Sequence, residues 1–156
     1  MRIVGGALKG RRLVAPKGRG VRPTLEMVRE AVFDVLGPRV EGARVLDLFA
    51  GSGAMGIEAL SRGAVHAVWC DAEPRAIEAI RTNLERLGVG RQGQVLQMTG
   101  RAALQYLERK GRAFDLVFLD PPYDGGHYEE MLLALSRSAL VVDGGRVCVE
   151  HPKRID

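Results

Sequence analysis

The chain has 156 residues, 46% of them apolar, which suits one domain of ordinary size with a core of its own. No apolar run approaches the ~18 residues of a membrane span, and the N-terminal stretch has no signal-peptide h-region, so neither a membrane nor a secreted class is expected and the cytoplasm is the default. The net charge is +4, yet seven basic residues and no acid fall within residues 1–23, leaving 16 basic against 19 acidic residues in the remainder. A cationic arm on a mildly acidic domain points to a polyanion partner, nucleic acid first.

Arg2-Ile3-Val4 and Arg12-Leu13-Val14 can pair as a small hairpin around Gly5, Gly6 and Gly10. A loop rich in Gly, Pro and Arg follows, and Thr24 is a plausible helix N-cap. Leu25, Val28, Val32 and Leu36 then fall on one helical face, and Gly37-Pro38 stops the helix.

From residue 44 the pattern alternates between strand and helix. Strands are expected over Arg44–Phe49, His66–Asp71, Gln94–Met98, Phe114–Leu119 and Arg146–Glu150. Helices are expected over Ala54–Arg62, from Pro74 to a stop at Gly88, over Ala102–Lys110 and over His127–Ser138. This βα alternation predicts an α/β fold with a parallel, doubly wound sheet and right-handed crossovers. The sheet is expected to end at its fifth strand.

Cys70 and Cys148 sit inside apolar strand-like runs and read as buried free thiols. Trp69 and Phe118 read as core. His66, His127 and His151 are scattered along the chain, and no metal site is expected. Arg75, Arg81 and Arg86, with Glu78 and Glu85, read as a solvated helix face. Arg outnumbers Lys 19 to 4 and Asn83 is the single asparagine, a bias that fits a thermophile or a GC-rich genome.

Two motifs carry chemistry. Asp47-Leu48-Phe49-Ala50-Gly51-Ser52-Gly53-Ala54-Met55-Gly56 runs from a strand through a Gly turn into a helix, and its last six residues match GxGxxG. Gly51 and Gly53 allow close backbone approach to a ligand, and Asp71, ending the next strand, suits ribose hydroxyls. Asp47 separates the cofactors. An acid there would repel the pyrophosphate of NAD, whereas S-adenosylmethionine carries an α-amino group that a carboxylate can hold.

The second motif, Asp120-Pro121-Pro122-Tyr123, follows the strongest apolar strand. The exocyclic amine of a base is a poor nucleophile because its lone pair is delocalised into the ring. Asp120 and the Pro121 carbonyl can accept its two N–H protons and aim the lone pair at a sulfonium methyl. Pro121 and Pro122 stiffen the shelf, and Tyr123 can stack on the base. On these residues an amino-methyltransferase acting on RNA or DNA stays open, as does a non-catalytic RNA-binding module. An NAD-dependent oxidoreductase is disfavoured by Asp47.

Together these motifs resemble class I S-adenosylmethionine-dependent N-methyltransferases. The N-terminal run Arg2-Ile3-Val4-Gly5-Gly6, Lys9-Gly10-Arg11, Arg22-Pro23-Thr24 and Val28-Arg29-Glu30-Ala31-Val32-Phe33 resembles the RsmD-type 16S rRNA guanine-N2 methyltransferases. That resemblance spans residues 1 to about 151. It implies a Rossmann-like methyltransferase sheet with an N-terminal β-hairpin and helix, and 16S rRNA or the small ribosomal subunit as partner; a monomer is expected. It also implies a basic substrate-side segment over residues 1–39 and a cofactor-binding catalytic segment over 40–156, packed as one compact unit. Carried onto this chain, Asp47, Phe49, Gly51 and Gly53 would hold S-adenosylmethionine, with Asp71 on the ribose. Asp120, Pro121, Pro122 and Tyr123 would hold the guanine. Lys9, Arg11, Arg12, Arg22 and Thr24 would face RNA, with Arg22 to Thr24 closing over the site. Two departures stand out. Arg101-Ala102 falls where the family often has an acid that reads the adenine amine, so adenine contact would come mostly from backbone. A final two-strand hairpin usual in the family is absent.

Overall fold

A computed structural model describes residues 1–18, 25–121 and 127–150. Their order is α1 (Leu25–Leu36), β1 (Arg44–Leu48), α2 (Ala54–Ser61), β2 (His66–Asp71), α3 (Pro74–Leu87), β3 (Gly93–Gln97), α4 (Gly100–Arg109), β4 (Phe114–Leu119), α5 (His127–Ser136) and β5 (Val141–Val149). The five strands form one parallel sheet in the order β3-β2-β1-β4-β5. Strand order reverses between β1 and β4, which makes their C-terminal ends the topological switch point where ligands bind in such sheets. Among the described residues, no helix is long and apolar enough to cross a membrane.

Local sequence explains most boundaries. Pro74 opens α3 where a missing N–H costs nothing, and Gly88 closes it at φ 69° with its amide on the Leu84 and Glu85 carbonyls. The Thr99 hydroxyl caps α4 by accepting the Ala102 amide at 3.2 Å, so that helix begins two residues before the expected Ala102. The last strand is longer than expected. It begins at Val141 and resumes regular pairing at Arg146 after a register shift.

Strand alternation sorts the core into two layers. Val45, Ala67, Trp69, Leu116 and Phe118 pack with the α2 and α3 residues Ile57 and Ile80. Leu46, Leu48, Val68, Cys70, Val117 and Leu119 pack with Leu104, Leu107, Met131 and Leu135 of α4 and α5. Asp47 therefore shares its face with Trp69 and Phe118.

The N-terminal hairpin forms as a short antiparallel contact, Arg2 opposite Arg12, with the Ile3 amide on the Arg11 carbonyl and the Leu13 amide on that of Met1. Ile3, Leu13 and Phe33 are buried in the first layer. The expected apolar face of α1 is corrected here. Leu36 is buried and Val32 packs against the core as expected, but Val28 is 44% exposed, and Arg29 and Phe33 turn inward beside them. Arg29 tolerates burial because Glu58 of α2, itself fully buried, accepts its Nε at 3.0 Å. Glu58 also accepts the Val4 and Gly5 amides and the Arg62 Nε, each at 2.9 Å. This one carboxylate fastens hairpin, α1 and α2 together. The Thr24 cap proposed for α1 lies outside the described residues.

Candidate active site

β1 carries Asp47 into the switch point and then turns sharply. Phe49 adopts φ 58°, a left-handed conformation uncommon for an aromatic residue. Gly51 and Gly53 follow at φ 59° and 82°, and Gly53 starts α2. Three side chains pin this turn. The Asp71 Oδ2 accepts the Gly51 amide at 2.9 Å, Asn83 Nδ2 donates to the Ser52 carbonyl at 2.9 Å, and Trp69 Nε1 donates to the Gly53 carbonyl at 3.1 Å. A Cβ built on Gly51 would meet nothing within 4 Å, so open space lies above the turn; one on Gly53 would come 3.2 Å from Trp69. The turn is held from below by these three side chains and open above, as close approach by a ligand requires.

Carboxylates dominate the rim. Asp47 is 3% exposed, and its Oδ2 accepts the Gly56 amide at 3.0 Å. Burial holds the Asp47 carboxyl well above the usual carboxylate range; the Gly56 hydrogen bond opposes this, while the charges of Asp120 and Asp71 add to it. Leu48 pairs with Cys70 and with Leu119, so Asp71 and Asp120 each follow a residue level with the end of β1. A buried acid with two anionic neighbours suits a cation and repels phosphate. An ammonium-bearing, phosphate-free cofactor therefore fits this donor set, and a dinucleotide does not. Among the described residues, no group of three or more His, Cys, Asp or Glu is arranged to hold a metal ion.

Asp120 is exposed at the end of β4, and Pro121 beside it is buried. Pro122 and Tyr123 lie outside the described residues, as do Arg22 and Thr24. Asp71 has a task the sequence did not disclose. Its Oδ1 accepts the Glu73 amide at 2.9 Å while Oδ2 holds Gly51, so both oxygens brace backbone. Glu73, two residues on, is exposed and extended at the start of α3 and makes no capping bond. The signal was present in Asp71-Ala72-Glu73-Pro74, where two acids flank a strand-to-helix turn.

Arg101 and Ala102 sit in the first turn of α4. Arg101 Nη1 pairs with Glu130 of α5 at 3.1 Å, and the Ala102 amide is taken by Thr99. Neighbouring Gly100 packs under Phe49, where a Cβ would come 2.9 Å from the ring. Lys9, Arg11 and Arg12 are exposed on the N-terminal segment. Cys70 is buried with its thiol pushed up to about 12, first by desolvation and then by the charges of Asp71 and Asp47. Cys148 is also a free thiol, partly buried.

A family model described as Conserved hypothetical protein 95 matches residues 1–156. The chain belongs to that family. It is 37% identical over 150 residues to Ribosomal RNA small subunit methyltransferase D of Escherichia coli K12, covering 96% of this chain and 74% of that protein. The Haemophilus influenzae protein of the same name is 30% identical over 155 residues, covering 98% and 79%. A solved structure of a hypothetical protein from Thermus thermophilus superposes with a TM-score of 0.85 at 35% identity, over 100% of this chain and 88% of that one. The RsmD-type resemblance and the class I methyltransferase architecture read from the sequence hold.

Proposed function

We propose that this protein transfers a methyl group from S-adenosylmethionine to the exocyclic N2 of a guanine in 16S rRNA of the small ribosomal subunit, acting as a cytoplasmic monomer. The observation that carries this reading is the meeting of Asp47, the Gly51–Gly53 turn and Asp120 at one switch point, in a chain whose relatives are named small-subunit rRNA methyltransferases. S-adenosylmethionine, when bound, supplies an electrophilic methyl on a sulfonium.

The chain's own residues do the rest. Asp47 holds the α-amino group, and the turn clears space for the cofactor backbone. Asp71 keeps Gly51 in place, and Glu73 shares the ribose hydroxyls with it. Phe49, Arg101 and Ala102 border the adenine, which is read mainly through backbone. Asp120 and the Pro121 carbonyl accept the two N–H protons of the guanine amine, so its lone pair faces the methyl. Pro122 and Tyr123 keep the roles the sequence assigns them, stiffening the shelf and stacking on the base. Orientation and proximity supply most of the rate, and the surplus proton leaves to water after transfer. Residues 1–39 form the RNA-facing part, with Lys9, Arg11, Arg12, Arg22 and Thr24 toward the substrate.

The test is methyl transfer from labelled S-adenosylmethionine to small subunits lacking the modification and to naked 16S rRNA, followed by nucleoside analysis. Label in N2-methylguanosine is expected. Label in another nucleoside, or in DNA, would replace the acceptor while keeping the chemistry.

A further inference from the structure

Asn83 is the single asparagine in the chain and is 1% exposed, on a helix otherwise committed to apolar packing or solvent. Its Nδ2 donates to the Val14 carbonyl at 3.0 Å and to the Ser52 carbonyl at 2.9 Å, and its Oδ1 accepts the Val14 amide at 2.8 Å. Both donor hydrogens are used, and the partners fix which end is oxygen. Val14 meets this side chain through both of its backbone groups, as a strand residue meets its partner. Ser52 is the middle residue of the Gly turn. One buried amide therefore joins the basic N-terminal segment to the turn beneath the proposed cofactor.

Two neighbouring contacts run along the same seam. Arg11 Nη2 donates to the Arg86 carbonyl at 3.1 Å, and Lys17 lies 3.9 Å from Glu78. The segment thus descends α3 antiparallel, with residues 11, 14 and 17 opposite 86, 83 and 78. Both flanking contacts are exposed and weak. Asn83 is the buried anchor.

The Ser52 carbonyl stands between two glycines at positive φ, where the backbone pivots most easily. Rotating it away strips a buried amide of a partner. One side chain thus holds both Val14 and the Ser52 carbonyl, so a shift of the turn is felt by the group that docks Val14.

We infer that Asn83 is a positioning residue that couples cofactor binding at the Gly51–Gly53 turn to RNA binding by the N-terminal segment. The inference rests on the methyltransferase reading. Because linkage is reciprocal, the factor by which S-adenosylhomocysteine tightens RNA binding equals the factor by which RNA tightens S-adenosylhomocysteine.

The experiment measures the Kd of a 16S rRNA transcript with and without saturating S-adenosylhomocysteine, for the wild-type protein and for Asn83→Asp. The aspartate keeps an acceptor for the Val14 amide but turns an oxygen toward two carbonyls. The wild type is expected to bind RNA about 5-fold or more tighter with the ligand present, and the variant to bind equally with and without it. KM should rise for both substrates in the variant, with kcat at double saturation changed little. An equal coupling factor in variant and wild type overturns the inference, as does a wild-type factor of one. Should the variant not fold, the wild type still decides: S-adenosylhomocysteine should slow hydrogen exchange at the Val14 amide, and an unchanged rate overturns the coupling. A wild type that methylates 16S rRNA without coupling removes this inference alone. A wild type that methylates no RNA removes the functional reading instead.

Discussion

At the scale of single residues, Asp47 and Asp120 are both rim acids with opposite demands. Asp120 is exposed at the end of β4, and Asp120→Ala should abolish methyl transfer while S-adenosylhomocysteine still raises Tm, which a thermal shift assay and a labelled-methyl assay would read side by side. Asp47 is a buried acid whose carboxyl is raised, and the sign follows from that. Below the unfolded value of about 3.9 the group is protonated in both states and costs nothing. As pH climbs from there toward the raised folded value, the folded state is penalised increasingly. Asp47→Asn, which keeps an acceptor for the Gly56 amide, should therefore raise Tm at neutral pH without ligand, with a gain that shrinks on acidification. The same variant should bind S-adenosylhomocysteine more weakly. Calorimetry across pH and a titration would show both. Gly56 gives a steric counterpart. A Cβ there would stand 2.4 Å from the Trp69 indole nitrogen, so Gly56→Ala should cost about 1–3 kcal/mol in denaturant unfolding.

At the scale of elements, Glu58 decides how the hairpin and α1 stay on the sheet. It is fully buried and receives two backbone amides and two arginines. Glu58→Ala leaves Arg29 buried without its partner and should cost about 3–5 kcal/mol, measurable as a lower urea midpoint. None of this was legible in the sequence. A glutamate on a short helix reads as solvent-facing, and apart from Arg62, four residues on, its partners lie far away in the chain. The same blindness misplaced part of the α1 face, where Val28 is exposed although Val32 and Leu36 pack inward. Leu25, Val28, Val32 and Leu36 make a convincing apolar stripe, but a local pattern cannot reveal that a distant acid makes Arg29 an inward residue. The strands were legible because continuous apolar runs between Gly and Pro signals mark buried parallel strands, and α3 because Pro74 and Gly88 mark its ends chemically. In the candidate site, the Gly turn and the acids were legible as positions. The backbone task of Asp71 was not, since only geometry shows that it spends both oxygens on the Gly51 and Glu73 amides.

At the scale of the whole molecule, charge is divided between a basic N-terminal stretch and a mildly acidic remainder, and RNA affinity should follow that division. Replacing Lys9, Arg11 and Arg12 by Ala should weaken binding to every RNA sequence alike and lower the slope of log Kd against log salt by roughly 2–3. Filter binding from low to moderate salt would check it. An unchanged slope would mean that these exposed cations face away from the phosphates.

The strand order carries a consequence in time. β1 lies between β2 and β4, yet β4 follows β2, α3, β3 and α4 in the chain. During synthesis, the hairpin, α1, β1, α2 and β2 emerge early enough to collapse around Glu58. β1 then keeps one open hydrogen-bonding edge until β4 is made, and an open apolar edge is an invitation to pair with another chain. The centre of the finished sheet is thus the most vulnerable edge of the nascent one, and ribosome pauses between β3 and β4 would raise aggregation more than pauses after β4.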